Sequence, residues 1–256
     1  MKRIFSQKWK LALKVLPFVA LIIVLKFITH FVGVEFLPLS SLFTALISAN
    51  IFLIGFLITG VLTDYKESEK LPGDLAVSIE AIIDECKIMY ENKKAKEAKD
   101  CITYLSDFTE SIIKWFHKEE KTVKIMEKIT SLNEFFLAFE SLTQANFIVR
   151  MKQEQSAIRK IITRIHTIRE TNFNDAAYAI AEIITALIIV GLLFVKIDPY
   201  YESIFFIGFV SFILLYMIFL IKDLDNPFSY YGKKSLSGEV SLKPLTDLQK
   251  RLNDNH

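Results

Sequence analysis

Four long stretches of the chain are almost free of charge, and between the second and the third lies a segment in which charges recur every few residues. The apolar stretches run from Val15 to Gly33, Leu39 to Thr63, Ala176 to Val195 and Ser203 to Ile221. Each is close to or above the about 20 residues a helix needs to cross the hydrocarbon core of a bilayer, so the pattern predicts four transmembrane helices. Only Lys26, His30 and Glu182 interrupt them with ionisable groups. A signal peptide has a shorter apolar core and a small-residue cleavage site, neither of which the first stretch shows, so it is expected to stay in the mature chain. Val34 to Pro38 alone separate the first pair, and Lys196 to Glu202 the second, which predicts two tight helical hairpins.

From Asp64 to Asp175 apolar residues recur at three and four. Ala76, Ile79, Ile82, Ile83 and Cys86 mark one stripe, Leu132, Phe135, Phe136 and Phe139 a second, and Ile158, Ile161, Ile162, Ile165 and Ile168 a third. This is helical spacing, with breaks expected near Leu71-Pro72-Gly73, near Asn92 to Lys96 and around Lys118 to Lys121. A segment of this length with three or four such helices is large enough for a folded bundle. Its helix from about Gln144 to Arg169 carries Arg150, Lys152, Arg159, Lys160, Arg164 and Arg169. That row suits either a phosphate or lipid-headgroup site or a solvated face with acidic neighbours. The expected divisions are residues 1–63 (first hairpin), 64–175 (helical domain), 176–222 (second hairpin) and 223–256 (tail).

Composition sharpens the membrane reading. The 256 residues are 52% hydrophobic and 13% aromatic, with only 8 Gly and 6 Pro. Lys and Arg number 31 against 29 Asp and Glu, so the excess positive field on which a nucleic-acid binder relies is missing. All Lys and Arg except Lys26 and Lys196 lie outside the apolar stretches and their short connections. The positive-inside rule then places both termini and the middle segment in the cytoplasm. Cys86 and Cys101 match no metal-ligand spacing and read as ordinary thiols of a reducing compartment.

Chemistry is sparse. The histidines His30, His117, His166 and His256 are scattered, and the pairs His117 with Glu120 and His166 with Glu170 supply too few ligands for zinc. No nucleophile elbow, phosphate loop, dinucleotide fingerprint or Cys-x-x-Cys occurs, so neither catalysis nor a cofactor is expected. The polar residues of the spans still need an account, because a charge at the bilayer centre costs about 2.5–3.5 kcal/mol on insertion scales. Lys26 and His30, four apart, share a helix face, and Lys26 is expected to snorkel towards the outer headgroups. Glu182 suits either a water-filled vestibule or hydrogen bonding to neighbouring helices.

The second stretch carries the sharpest pattern. Ser48, Phe52, Phe56, Thr59 and Thr63 recur at four, four, three and four, which keeps them within one stripe, flanked by Gly55 and Gly60. Small residues beside it suit a close helix interface. Alternatively the stripe lines a pore in which phenylalanine rings form a constriction that dewets. Four helices are too few to enclose a pore in one subunit, so the second possibility requires an oligomer.

At this helix the sequence resembles the bestrophin family of ion channels. Phe52-Leu53-Ile54-Gly55-Phe56-Leu57-Ile58-Thr59, followed by Leu71-Pro72, is similar to the family's second transmembrane helix, whose phenylalanines form a hydrophobic neck. By that likeness Ser48, Phe52 and Phe56 fall on the neck positions. Asn226-Pro227-Phe228 resembles the Asn-Pro-Phe that follows the family's last membrane helix. The tail from Asp225 to Ser229 and from Ser241 to Leu245 is closer still to the bestrophin-like domain proteins of prokaryotes. Where animal members carry acidic residues that clasp calcium, this chain reads Ser229-Tyr230-Tyr231-Gly232-Lys233-Lys234. The resemblance implies a homopentamer and leaves anion or cation selectivity open.

The expectation is therefore an all-α membrane protein of bestrophin-like architecture: four transmembrane helices in two hairpins with a cytoplasmic helical bundle between them. It is expected in the cell (inner) membrane as a homo-oligomeric ion channel that contacts lipids and inorganic ions. The neck falls at Ser48, Phe52 and Phe56, with Thr59, Thr63 and Glu182 as further lining candidates. A non-conducting scaffold or sensor with a partner-binding helical domain is the alternative.

Overall fold

The computed structural model describes residues 9–170, 175–225, 227, 228, 230 and 239–254. Eight α-helices account for most of them: α1 Lys10–Val32, α2 Ser41–Lys93, α3 Lys96–Phe116, α4 Thr122–Ala138, α5 Ala145–Glu170, α6 Asp175–Phe194, α7 Tyr200–Leu224 and α8 Lys243–Asp254. Two short strands, β1 Leu37–Pro38 and β2 Val195–Lys196, pair in parallel. The chain divides into two compact units, Met1–Tyr65 with Asn172–Asn226 and Lys66–Thr171 with Pro227–His256.

In the first unit α1 packs along α7 and against α6, and α6 packs on α7. Ile22, Ile54, Leu57, Val61, Ile188, Leu192, Ile207, Leu214 and Ile218 are among the residues that close its core. Gly191 makes room there for the Phe43 ring, which a Cβ at this position would meet at 2.8 Å and force to shift. Helix α1 stops at Gly33, whose φ of 75° lets its amide reach back to the carbonyls of the last turn. Outward-facing side chains of α1 and α7, such as Leu21, Phe27, Phe205 and Phe209, are apolar and exposed. Helices α1, α2, α6 and α7 are each long and apolar enough to cross a membrane.

The second unit is built from the later part of α2 with α3, α4, α5 and α8. The expected stripes are its core: Ala76, Ile79, Ile82, Ile83 and Cys86 on α2, Leu132, Phe136 and Phe139 around the end of α4, and Ile158, Ile162 and Ile165 on α5 are buried. They close on Cys101, Leu105, Phe108 and Ile112 of α3. The breaks at Asn92 to Lys96 and Lys118 to Lys121 fall between helices, but the one at Leu71-Pro72-Gly73 does not exist. Helix α2 runs through Pro72 without interruption. A proline inside a helix costs about 3 kcal/mol, whereas each fully buried Leu or Ile returns about 1.5–3 kcal/mol, and Leu71, Leu75, Ile79, Ile82 and Ile83 flank the proline on the buried side.

The basic row of α5 is engaged within its own unit. Arg150 pairs with Glu85 at 2.9 Å, Arg164 grips Glu67 through two bonds of 2.9 and 2.8 Å, Arg159 donates to Thr130 and Arg169 lies over the Trp115 ring. These contacts favour the solvated, ion-paired face over a phosphate site. Helix α8, unexpected from the polar tail, buries Leu245, Leu248 and Leu252 and packs against α3. Of the tail motif, Phe228 is buried and packs against Phe116 with the rings tilted by 43° and their centroids 5.7 Å apart. Asn226, Ser229, Tyr231 and Gly232 to Lys234 lie outside the described residues.

Candidate functional site

Helix α2 has two contrasting sides where it passes through the first unit. Asn50, Ile54, Leu57 and Val61 are buried, and Asn50 donates a hydrogen bond of 2.9 Å to the Thr185 hydroxyl of α6. On the other side Ser48, Phe52, Phe56, Thr59 and Thr63 are all exposed, Phe52 at 78% and Phe56 at 71% of their surface. The hydroxyls of Ser48, Thr59 and Thr63 donate to the carbonyls of Thr44, Gly55 and Thr59, at 3.0, 3.0 and 2.9 Å. Their protons are thereby spent on the helix itself. The result is an uncharged stripe of two large rings bounded by small hydroxyl side chains, uncovered within the chain.

Glu182 sits elsewhere. Its carboxylate meets the Lys222 ammonium at 2.7 Å, joining α6 to α7, and both side chains are partly exposed. Beside it the Tyr178 hydroxyl donates to Asp225 at 2.7 Å.

A second polar group of residues was only half visible in the sequence. Lys26 does not reach for headgroups; it is fully buried. Its ammonium lies 2.6 Å from Glu35 and donates to the carbonyls of Val195, at 2.6 Å, and Leu193, at 3.2 Å. Those carbonyls close the end of α6, where a cation also meets the negative end of the helix dipole. The Thr29 hydroxyl adds a bond to Leu193 at 2.9 Å. The other Glu35 oxygen is 2.9 Å from His30 Nδ1, and the His30 ring stacks on Tyr200 with centroids 3.7 Å apart. Burial pushes the Glu35 carboxyl up, but the hydrogen bonds from Lys26 and His30, together with their charges, outweigh it and hold the group below the usual carboxylate range. Glu35 and Tyr200 were missed as partners. The available signal was that Lys26 and His30 share a face near the end of a helix that leads into Glu35, the acid of the short first connection.

Among the described residues no cluster of three or more His, Cys, Asp or Glu side chains is placed to hold a metal ion. Cys86 and Cys101 are both fully buried, and the Cys101 thiol is pushed far up by its hydrogen bond with Cys86 and by burial.

In sequence, no protein-family model and no curated protein matches the chain. In fold it is similar to solved structures along nearly its whole length. A crystal structure of a single-residue variant of a membrane protein superposes with a TM-score of 0.79 at 14% identity, covering 94% of this chain and 98% of the other. A variant of a bacterial bestrophin homologue from Klebsiella pneumoniae gives 0.78 at 15% identity with the same coverage. Another variant of that homologue gives 0.75 at 16% identity, again covering 94% and 98%. The chain is an all-helical membrane protein with the fold of the bacterial bestrophin homologues, and the resemblance seen in its sequence holds at the level of fold.

Proposed function

We propose that the chain assembles with copies of itself, as a pentamer, around an axial ion pore whose hydrophobic neck is formed by Ser48, Phe52 and Phe56 of α2. One observation carries this: the exposed stripe of α2 mixes uncovered phenylalanines with Ser48, Thr59 and Thr63, whereas the exposed positions of α1 from Val15 to Ile28 and of α7 from Ser203 to Ile221 carry only apolar side chains. Hydrocarbon does not select for hydroxyls, but a narrow aqueous passage accepts them. Thr59 and Thr63 continue the lining below the neck. Glu182 is a candidate at the vestibule only together with Lys222, as a pair without net charge.

In this reading residues 1–63 and 176–222 form two hairpins in the cell (inner) membrane, and residues 64–175 with the tail 223–256 lie in the cytoplasm. The buried native thiols are poor reporters of sidedness, so introduced cysteines test the topology. Asp198→Cys, in the exposed connection before α7, is expected to react with an impermeant maleimide in intact cells, and Glu119→Cys, between α3 and α4, only after permeabilisation. The opposite pattern overturns the orientation.

The function is tested by reconstituting the purified chain in liposomes and measuring ion flux alongside subunit stoichiometry in detergent. A closed ring that conducts supports the channel. A monomer or dimer without flux favours the scaffold alternative.

A further inference from the structure

The chain that enters α2 is held from both sides. Glu35, three residues past the end of α1, is tied to Lys26 and His30, and β1 then pairs Leu37 with Val195 and Pro38 with Lys196 before α2 begins at Ser41. The Val195 carbonyl that receives Lys26 belongs to the strand with which β1 pairs. One carboxylate therefore fixes the first connection, the second connection and the entry to the helix that carries Phe52 and Phe56.

The holding groups differ in how they respond to protons. Lys26 is sealed from solvent, whereas the His30 side chain is 46% exposed and that of Glu35 only 9%. Imidazole is the side chain that changes charge between about pH 5 and 8. From the other elements, Tyr200 of α7 stacks on the ring and Phe27 of α1 meets Tyr200 edge-on. Lys196 and Asp198 of the second connection are 3.7 Å from each other. Among the described residues, the carboxylate paired with the ring is that of Glu35.

We propose that Glu35 is a positioning residue for the pore, and that His30 makes its hold on the entry to α2 dependent on pH. This rests on the assignment of the neck to α2. With its proton, His30 gives Glu35 a second charge-assisted bond beside that of Lys26. Without it, the bond is at best a neutral one and the connection opens more often. The hold is therefore full while the imidazole carries its proton and weakens where that proton is lost.

Val195→Cys reports opening, because the side chain is fully buried beside the Val195 carbonyl that Lys26 holds. Its alkylation in the full-length purified chain follows the open fraction when reclosing outpaces labelling. Dividing the rate by that in a His30→Gln background removes the thiol's own pH dependence. The ratio is expected to rise about threefold between pH 5.5 and 8, a screened share of the gap between charged and neutral hydrogen bonds. Glu35→Gln is expected to label fastest at every pH, and His30→Gln, at a half-exposed position, keeps the test valid if Glu35→Gln does not fold. A ratio that is flat with pH, or Glu35→Gln labelling at the parent rate, overturns the proposal. Ion flux over the same range in the parent but not in His30→Gln should follow the labelling. Labelling that shifts without a shift in flux overturns the link to the neck, whereas pH-dependent labelling in a protein that conducts under no condition overturns the pore assignment itself and, with it, this regulation.

Discussion

Replacing Phe52 or Phe56 by alanine is expected to raise ion flux through the reconstituted protein by about tenfold, the factor that corresponds to roughly 1.4 kcal/mol off a barrier. A phenyl ring offers a permeating ion no hydrogen bond, so in a narrow passage the barrier is the cost of shedding water. Both rings are uncovered within the chain, so truncating them removes little internal packing. The oligomer should therefore form as before while the constriction wets. Leu53→Ala is the control, because Leu53 packs against the core of the first unit, about 100° round the helix from Phe52. That change should cost about 1–3 kcal/mol of stability and leave flux per assembled channel unchanged. Equal flux from the parent and both phenylalanine variants, in a protein that conducts, makes α2 a packing helix and not a neck.

Lys26→Met is expected to be the most damaging single change in the first unit, with a loss of about 3–5 kcal/mol, the usual cost of removing one partner from a buried ion pair. Methionine fills much the same volume but leaves the Glu35 carboxylate without its ammonium, takes the Lys26 donor from the Val195 carbonyl and leaves the Leu193 carbonyl with the Thr29 hydroxyl in place of two side-chain donors. Thermal unfolding of the detergent-solubilised protein measures the loss. The double variant Lys26→Met with Glu35→Leu should recover a large part of it, because an apolar pair of similar size has no charge left to desolvate. If Lys26→Met melts with the parent, the buried pair contributes nothing.

The apolar helices were legible because hydropathy over some twenty residues depends on no partner. The helical stripes of the second unit were legible for the same reason: Ile79, Ile82 and Ile83, or Ile158, Ile162 and Ile165, state their own period. Pro72 misled, since the local cost of proline is visible in sequence while the burial of Leu71, Leu75 and Ile79 around it is a property of the packed unit. Helix α8 was hidden because Leu245, Leu248 and Leu252 stand alone among charged and polar residues, too few for a hydropathy signal yet enough to seat twelve residues on α3. The Lys26 site was the hardest. Its partners Leu193 and Val195 lie 167 and 169 residues away and contribute only backbone carbonyls, which every residue possesses. The stripe of Ser48, Phe52 and Phe56 was readable as a face, and within the chain it stays exposed.

The paired connections also decide where this molecule tolerates added sequence. Surface loops are the ordinary place for an epitope, a fluorophore-binding peptide or a permuted terminus, since lengthening them costs little. The segment from Val34 to Pro38 is an exception, because Leu37 and Pro38 must stay in register with Val195 and Lys196 while Glu35 stays within reach of Lys26. A residue added between Glu35 and Leu37 shifts one anchor relative to the other, so that only one can be satisfied. The exposed run His117 to Glu119 carries no such double constraint, and a tag placed there leaves the segments that hold β1 and β2 at their native length.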